Sequence, residues 1–291
     1  MKTILAPTDF SKISNNAIDY AAKLAHIAHA RLVLLNVYHI PTMTSEVPVV
    51  IPDLERLEKN SINKLQEIQK RLFQSFGKTL QVELVSKCGF ATEEISLYAD
   101  SIKPDMIVTG ITGADYISER IFGSVATSLM IHSKHPVLMV GDGIEFKIPA
   151  KIIFACDYNE LENATLVGPL IKLIKLFKSH LYVLNVEREL EPAEPAGEIV
   201  SGFMKLENVL QGVDHSFHFI ETEKVREGIN EFVSMTNGDM VVMMPKKHGA
   251  LAQMFKESTT KQMAFHSKVP LYTLPNTQQT LKYPRENENN N

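Results

Sequence analysis

Short apolar runs alternate with longer amphipathic stretches along this chain, the pattern of a parallel sheet covered by helices. Thr3–Ala6 predicts a first buried strand. Ser14–Ala28 predicts a helix with Ala17, Ala21, Leu24, Ala25 and Ala28 on one face. Leu32–Val37 (Leu-Val-Leu-Leu-Asn-Val) reads as a strand buried on both faces. A Pro- and Thr-rich connection from Ile40 to Pro52 leads to a charged helix over Leu54–Phe76. Strands follow at Leu80–Val85, Asp105–Gly110 and Val137–Val140, with helices over Thr92–Ser101 and Ser124–Ser133 between them.

The same order then returns. Ile152–Ala155 parallels the first strand, and Leu181–Val186 (Leu-Tyr-Val-Leu-Asn-Val) parallels the second. Asp105-Met106-Ile107-Val108 is matched by Asp239-Met240-Val241-Val242. At the same offset, His132-Ser133-Lys134-His135-Pro136-Val137 is matched by His266-Ser267-Lys268-Val269-Pro270-Leu271. Register kept without a gap marks an internal duplication. The boundary falls in Gly141–Pro149, where glycines and a proline interrupt the apolar pattern. The expected organisation is therefore a domain over 1–142, a second over 150–276, and a polar tail over 277–291 that buries too little to order itself.

Composition narrows the class. With 291 residues, 44% of them hydrophobic, the chain has room for two ordinary α/β domains. A formal charge of −4 provides no basic footprint for nucleic acid. No apolar run reaches the ~18 residues of a membrane span. Two cysteines, Cys88 and Cys156, lie far apart and outside any metal-ligand spacing, which suits a reducing, cytoplasmic setting. The histidines lack metal spacing too, and His132 and His266 read as residues favoured at helix C-termini.

The candidate chemistry follows the fourth strand: Gly110-Ile111-Thr112-Gly113, nine residues, then Gly123-Ser124. A glycine at the carboxyl end of a parallel strand lets backbone approach a ligand, and open α/β sheets bind ligands at that edge. Gly123 and Ser124 open the next helix, whose free N–H groups suit phosphate. The competing reading is a tight loop, although no structural demand for that glycine spacing is visible in the sequence.

Gly-x2-Gly-x9-Gly-Ser in this position, with the opening Ile4-Leu5-Ala6-Pro7-Thr8-Asp9-Phe10-Ser11, resembles the universal stress protein family. The resemblance covers the first domain and, more weakly, the second. It implies an α/β fold of two tandem doubly wound parallel sheets. Each would have five strands in order 3-2-1-4-5, of the adenine nucleotide alpha hydrolase-like type. The two would pack through their last strands as an intramolecular pseudo-dimer, with a further homodimer open. It implies ATP, with Mg²⁺, as ligand. Pro7, Thr8 and Asp9 would flank the nucleoside, and Val37 would offer its backbone to adenine. Gly110 would approach the ribose, while Gly113, Gly123, Ser124 and Val125 would hold phosphates. Read without the family, Asp9 has another role, satisfying backbone N–H groups in the turn before a helix.

The second domain departs from the motif. Met244, Lys247 and Glu257 stand at the positions that Gly110, Gly113 and Gly123 hold in the first, and Asp157 alone parallels Asp9. Bulk and negative charge there oppose a triphosphate, so nucleotide is expected in the first domain only. The resulting expectation is an ATP-binding stress or signalling protein that reports to a protein partner. At most it hydrolyses ATP slowly, because the site holds phosphate without a group to activate water. The alternative is an interaction module of the same fold that binds no nucleotide. A dinucleotide oxidoreductase is excluded, since Pro7-Thr8-Asp9-Phe10-Ser11 occupies the place of its glycine fingerprint.

Overall fold

The computed structural model describes residues 1–39, 53–111, 124–156, 164–187, 196–244 and 269–275. The expectations for the Ile40–Pro52 connection, for His266, Ser267 and Lys268, and for the 277–291 tail lie outside these residues.

In chain order the first half contains β1 (Thr3–Thr8), α1 (Lys12–Ala28), β2 (Arg31–Tyr38), α2 (Leu54–Phe76) and β3 (Val82–Cys88). It continues with α3 (Ala91–Ile102), β4 (Met106–Ile111), α4 (Ser124–His132) and β5 (Val137–Gly141). The second half contains β6 (Lys151–Ala155), α5 (Gly168–Phe177), β7 (His180–Glu187) and α6 (Ala196–Val209). It closes with β8 (His215–Glu221), α7 (Val225–Thr236), β9 (Met240–Met243) and β10 (Leu271–Thr273).

Among the described residues the strands form one ten-stranded sheet in the order β3-β2-β1-β4-β5-β10-β9-β6-β7-β8. Each half therefore follows the order 3-2-1-4-5. All pairings within a half are parallel, and the halves join where β5 meets β10 antiparallel, Leu138 opposite Tyr272. Helices cover both faces. Ala17, Ala21 and Leu24 of α1, Leu65 of α2, Leu170 of α5 and Leu206 of α6 pack on one side with Ile4, Leu34, Val108 and Phe154. Ile95 of α3, Leu129 of α4 and Ile229 of α7 pack on the other with Leu5, Leu35, Ile107 and Ile153. Burying both faces explains the nearly unbroken apolar strands.

Of the boundaries that differ from the sequence reading, two have a clear local cause. α1 starts at Lys12 because Ser11 is its N-cap, its side chain accepting from the Ser14 amide. β3 runs later than Leu80–Val85, since Gly77–Thr79 forms a 3₁₀ turn and the strand then pairs along β2 as far as Tyr38 with Cys88. Between the halves, the Phe146 ring packs edge-on against Tyr20 of α1, with centroids 5.0 Å apart. Among the described residues no helix is long and apolar enough to cross a membrane.

Candidate functional site

The turn from β1 to α1 is over-determined. Phe10 sits at φ 67, a conformation costly for a residue with a side chain. Its amide donates to Thr8 Oγ1 at 2.9 Å, and its carbonyl accepts from Asn15 Nδ2 at 3.1 Å. Thr8 Oγ1 also lies 3.0 Å from Ser14 Oγ. Beneath the turn runs a buried polar chain. Ser86 Oγ donates to Ser61 Oγ, Ser61 Oγ to Asn36 Oδ1, and Asn36 Nδ2 to the Thr8 carbonyl, each at 2.7 Å. Three elements of the sheet and α2 thus fix where the backbone of Thr8 and Asp9 points.

Asp9 Oδ1 accepts from the Ser11 amide at 2.9 Å, the local turn role that the residue pattern allowed. Burial works to raise its pKa. Hydrogen bonds from the Ser11 side chain and backbone, and from Ser14, outweigh that and hold the carboxyl below its ordinary range.

Over this turn, at the carboxyl ends of β1, β2 and β4, lies a cavity of about 390 Å³, within the usual range for small-molecule sites. Pro7, Thr8, Asp9, Val37, Gly110 and Val125 all line it. Leu35, Val37, Ala91 and Ile95 form an apolar wall, while Thr8, Asp9, Ser11 and Ser14 form a polar one. Ser124 is the first residue of α4. Gly113 and Gly123 lie outside the described residues. The contributions of Ser11, Ser14, Ala91 and Ile95 were not foreseen. The serine pair at the start of α1 was a usable signal for the first two, whereas the approach of α3 is set only by packing.

Gly110 corrects one expectation. A Cβ there would stand 2.6 Å from Ile13 Cγ2 and 2.8 Å from the Ile13 carbonyl oxygen. The close approach of α1 to β4 demands glycine at this position whether or not a ligand binds. The glycine is therefore a packing requirement first.

The second half is built differently at the same edge. Met244 is 4% exposed and belongs to the core. Asn185, the counterpart of Asn36, donates to the Cys156 carbonyl at a long 3.4 Å, and its Oδ1 is buried without a partner among the described residues. Asp157, Lys247 and Glu257 lie outside the described residues. Among the described residues no cluster of three His, Cys, Asp or Glu side chains could hold a metal.

Comparison with known proteins bears on this architecture. The sequence profile of the Universal stress protein family matches residues 1–141. A universal stress protein of Methanocaldococcus jannaschii is 28% identical over 152 residues, covering 48% of this chain and 94% of its own length. One from Synechocystis is 28% identical over 140 residues, covering 48% of this chain and 85% of its own. The crystal structure of a universal stress protein from Archaeoglobus fulgidus superposes with a TM-score of 0.69 at 18% identity, over 94% of this chain and 98% of that one. That likeness is one of fold, and it spans both halves.

Proposed function

We propose that this chain, which belongs to the universal stress protein family through its residues 1–141, binds ATP in the cavity over Thr8 and Asp9. The reading assigns it a stress-response or signalling role rather than dedicated catalysis. The observation that carries it is the convergence of Pro7, Thr8, Asp9, Val37, Gly110 and Val125, distant in sequence, on one cavity at the ligand-binding edge of an open α/β sheet.

The lining fits the ligand in parts. The apolar wall of Leu35, Val37 and Ile95 suits a purine ring, with the Val37 backbone at hand for its hydrogen-bonding edge. The ionised Asp9 suits ribose hydroxyls. The phosphates would extend toward α4, whose first N–H groups have no intrahelical acceptor and whose dipole favours anions. There Gly113, Gly123, Ser124 and Val125 would hold them. Mg²⁺ would arrive on the triphosphate, completing its shell with water.

The second half is read as the built-in partner of the first, without nucleotide of its own. Met244 fills core space at the position of Gly110, and Asn185, the counterpart of Asn36, has a side-chain oxygen without a partner among the described residues. Titration calorimetry with Mg-ATP on the full chain tests both statements. The expected result is about one site per chain, lost in Gly123→Glu. Absence of binding at millimolar ATP, with no copurified nucleotide, would leave a protein-interaction module as the better account.

A further inference from the structure

At the opposite edge of the sheet, where β4 and β5 begin, a second cleft of about 530 Å³ lies between the two halves. Its walls come from the segment leading into β4, from the α4–β5 turn, from the first turns of α5, and from β10. Most of its charges already have partners. Asp100 accepts from Lys134 Nζ at 2.6 Å and faces His135 Nε2 at 3.0 Å. Asp105 Oδ2 accepts from the amides of Lys2 and Thr3, and Lys172 Nζ stands 3.8 Å from Asp105 Oδ1, too far for a hydrogen bond.

Two groups are left over. Lys103 lines the cleft with no ion-pair partner among the described residues. Its backbone is held at φ 47 as the C-cap of α3. Tyr272, also in the lining, is wholly buried, and its hydroxyl has no hydrogen-bond partner among the described residues. Burial raises the phenol's pKa far above the physiological range, and the nearby Asp105 charge pushes the same way, so the hydroxyl keeps its proton. A buried donor without an acceptor is uncommon and calls for a missing group. Three prolines, Pro104, Pro136 and Pro169, provide apolar surface around it.

The geometry points to a binding site for a small organic anion, a carboxylate or phosphate monoester. Lys103 and Lys172 attract its head group, the Tyr272 hydroxyl donates to it, and the prolines hold its apolar body. Because Pro169, Lys172 and Tyr272 belong to one half and Lys103 to the other, the ligand would bridge the seam. This site is independent of the cavity over Asp9, which lies at the other end of the strands.

Saturation-transfer NMR and calorimetry on the full chain, with benzoate, phenyl phosphate and neutral benzamide as probes, test it. Saturable binding of benzoate or phenyl phosphate is expected, and the preferred head group identifies the source chemistry. Lys103→Glu and Tyr272→Phe should each weaken binding at least about tenfold, while Gly123→Glu leaves it intact. Tyr272→Phe should also raise the Tm of the free protein, because it removes an unpartnered hydroxyl. Four results would overturn the proposal: no saturable anion binding, benzamide binding as well as benzoate, binding that survives both cleft variants, or binding lost only in Gly123→Glu.

Discussion

Asp105 and Asp239 do the same work in the two halves: each carboxylate accepts from the two backbone amides that open its half's central strand. Asp105 Oδ2 takes the amides of Lys2 and Thr3 at 2.6 and 3.1 Å, and Asp239 Oδ2 takes those of Ala150 and Lys151, both at 3.0 Å. The residue before β4 is thereby tied to the start of β1, and the residue before β9 to the start of β6. This is the physical content of the repeated Asp-Met-Ile/Val-Val sequence. It ties neighbouring parallel strands together at the edge away from the cavity over Asp9.

Asp105 should therefore carry acid-sensitive stability. Burial works to raise its pKa, but the two amide hydrogen bonds outweigh that and hold it below its ordinary value. With the folded pKa depressed, its contribution is complete above the unfolded carboxylate value, about 3.9, and is lost as pH falls through the folded value. Asp105→Ala should cost about 1–3 kcal/mol at neutral pH, and the difference from the parent should shrink on acidification. Urea unfolding at neutral and acid pH checks this; a difference that does not change with pH would contradict it.

Gly110→Ala is expected to destabilise by about 1–3 kcal/mol, because the new methyl group meets Ile13 side chain and backbone at under 3 Å. Ile13→Ala combined with it should recover only part of the loss, since the Ile13 carbonyl is the second obstacle at 2.8 Å. Full recovery in the double variant, seen in thermal melts, would show that the side chain alone sets the requirement.

Asn36 and Asn185 occupy matched strand positions yet should respond differently to leucine. Asn36→Leu strands the Thr8 carbonyl and the Ser61 hydroxyl, both bonded at 2.7 Å, and should cost about 2–5 kcal/mol in all. It should also weaken Mg-ATP binding without touching the ligand, because the Thr8–Asp9 backbone loses its anchor. Asn185→Leu removes one unpartnered oxygen and a 3.4 Å contact, so its cost should stay within about 1 kcal/mol. Equal losses in parallel denaturant titrations would refute the asymmetry.

Much of this fold was legible because its strands are buried on both faces. The runs Thr3–Ala6, Leu32–Val37 and Ile152–Ala155 are apolar almost throughout, and the repeated Asp-Met motif kept register between the halves. β8 was not legible: His-Ser-Phe-His-Phe-Ile-Glu is an edge strand whose polar positions satisfy one another laterally. At the site, Pro7, Thr8, Asp9 and Val37 were expected from the family resemblance, and all four line one cavity at the sheet's carboxyl edge. The need for glycine at 110 was not legible, because its cause, Ile13, lies across a helix–strand contact with no local signature. Ala91 and Ile95 were missed for the same reason.

Two histidines on β8 should oppose each other as pH changes. Burial works to lower the pKa of His215, but the Val213 carbonyl and Glu207, at 2.8 and 3.0 Å from its ring nitrogens, outweigh it and hold it above its ordinary value. Its contribution is present below the unfolded pKa and is lost as pH rises through the folded one. Burial and the nearby His180 hold His218 below its ordinary value. That contribution is present above the unfolded pKa and is lost as pH falls. Between pH about 8 and 5.5, a window around the ordinary histidine value, His215→Gln should make the acid-side loss of Tm steeper and His218→Gln should make it shallower. Parallel shifts of both variants would show that neither ring's charge is linked to folding.

The seam predicts how the first half behaves alone. β5 is an interior strand only because β10 covers it, Met139, Leu138 and Val137 facing Leu271, Tyr272 and Thr273. Thr273 Oγ1 adds a buried hydrogen bond to the Val137 carbonyl at 3.2 Å. Ending the chain at Pro149 would leave the outer row of β5 backbone groups unpaired, an edge that invites another strand. Since the lost neighbour ran antiparallel, a second copy of β5 can replace it through a two-fold axis, giving a closed dimer rather than a growing fibre. Fragment 1–149 should therefore sediment at twice its chain mass. Dissociation on dilution would locate the strength of the pairing. A fragment that is folded and monomeric at its highest soluble concentration would mean that the seam is held by α5 and the Phe146 connection rather than by the strands.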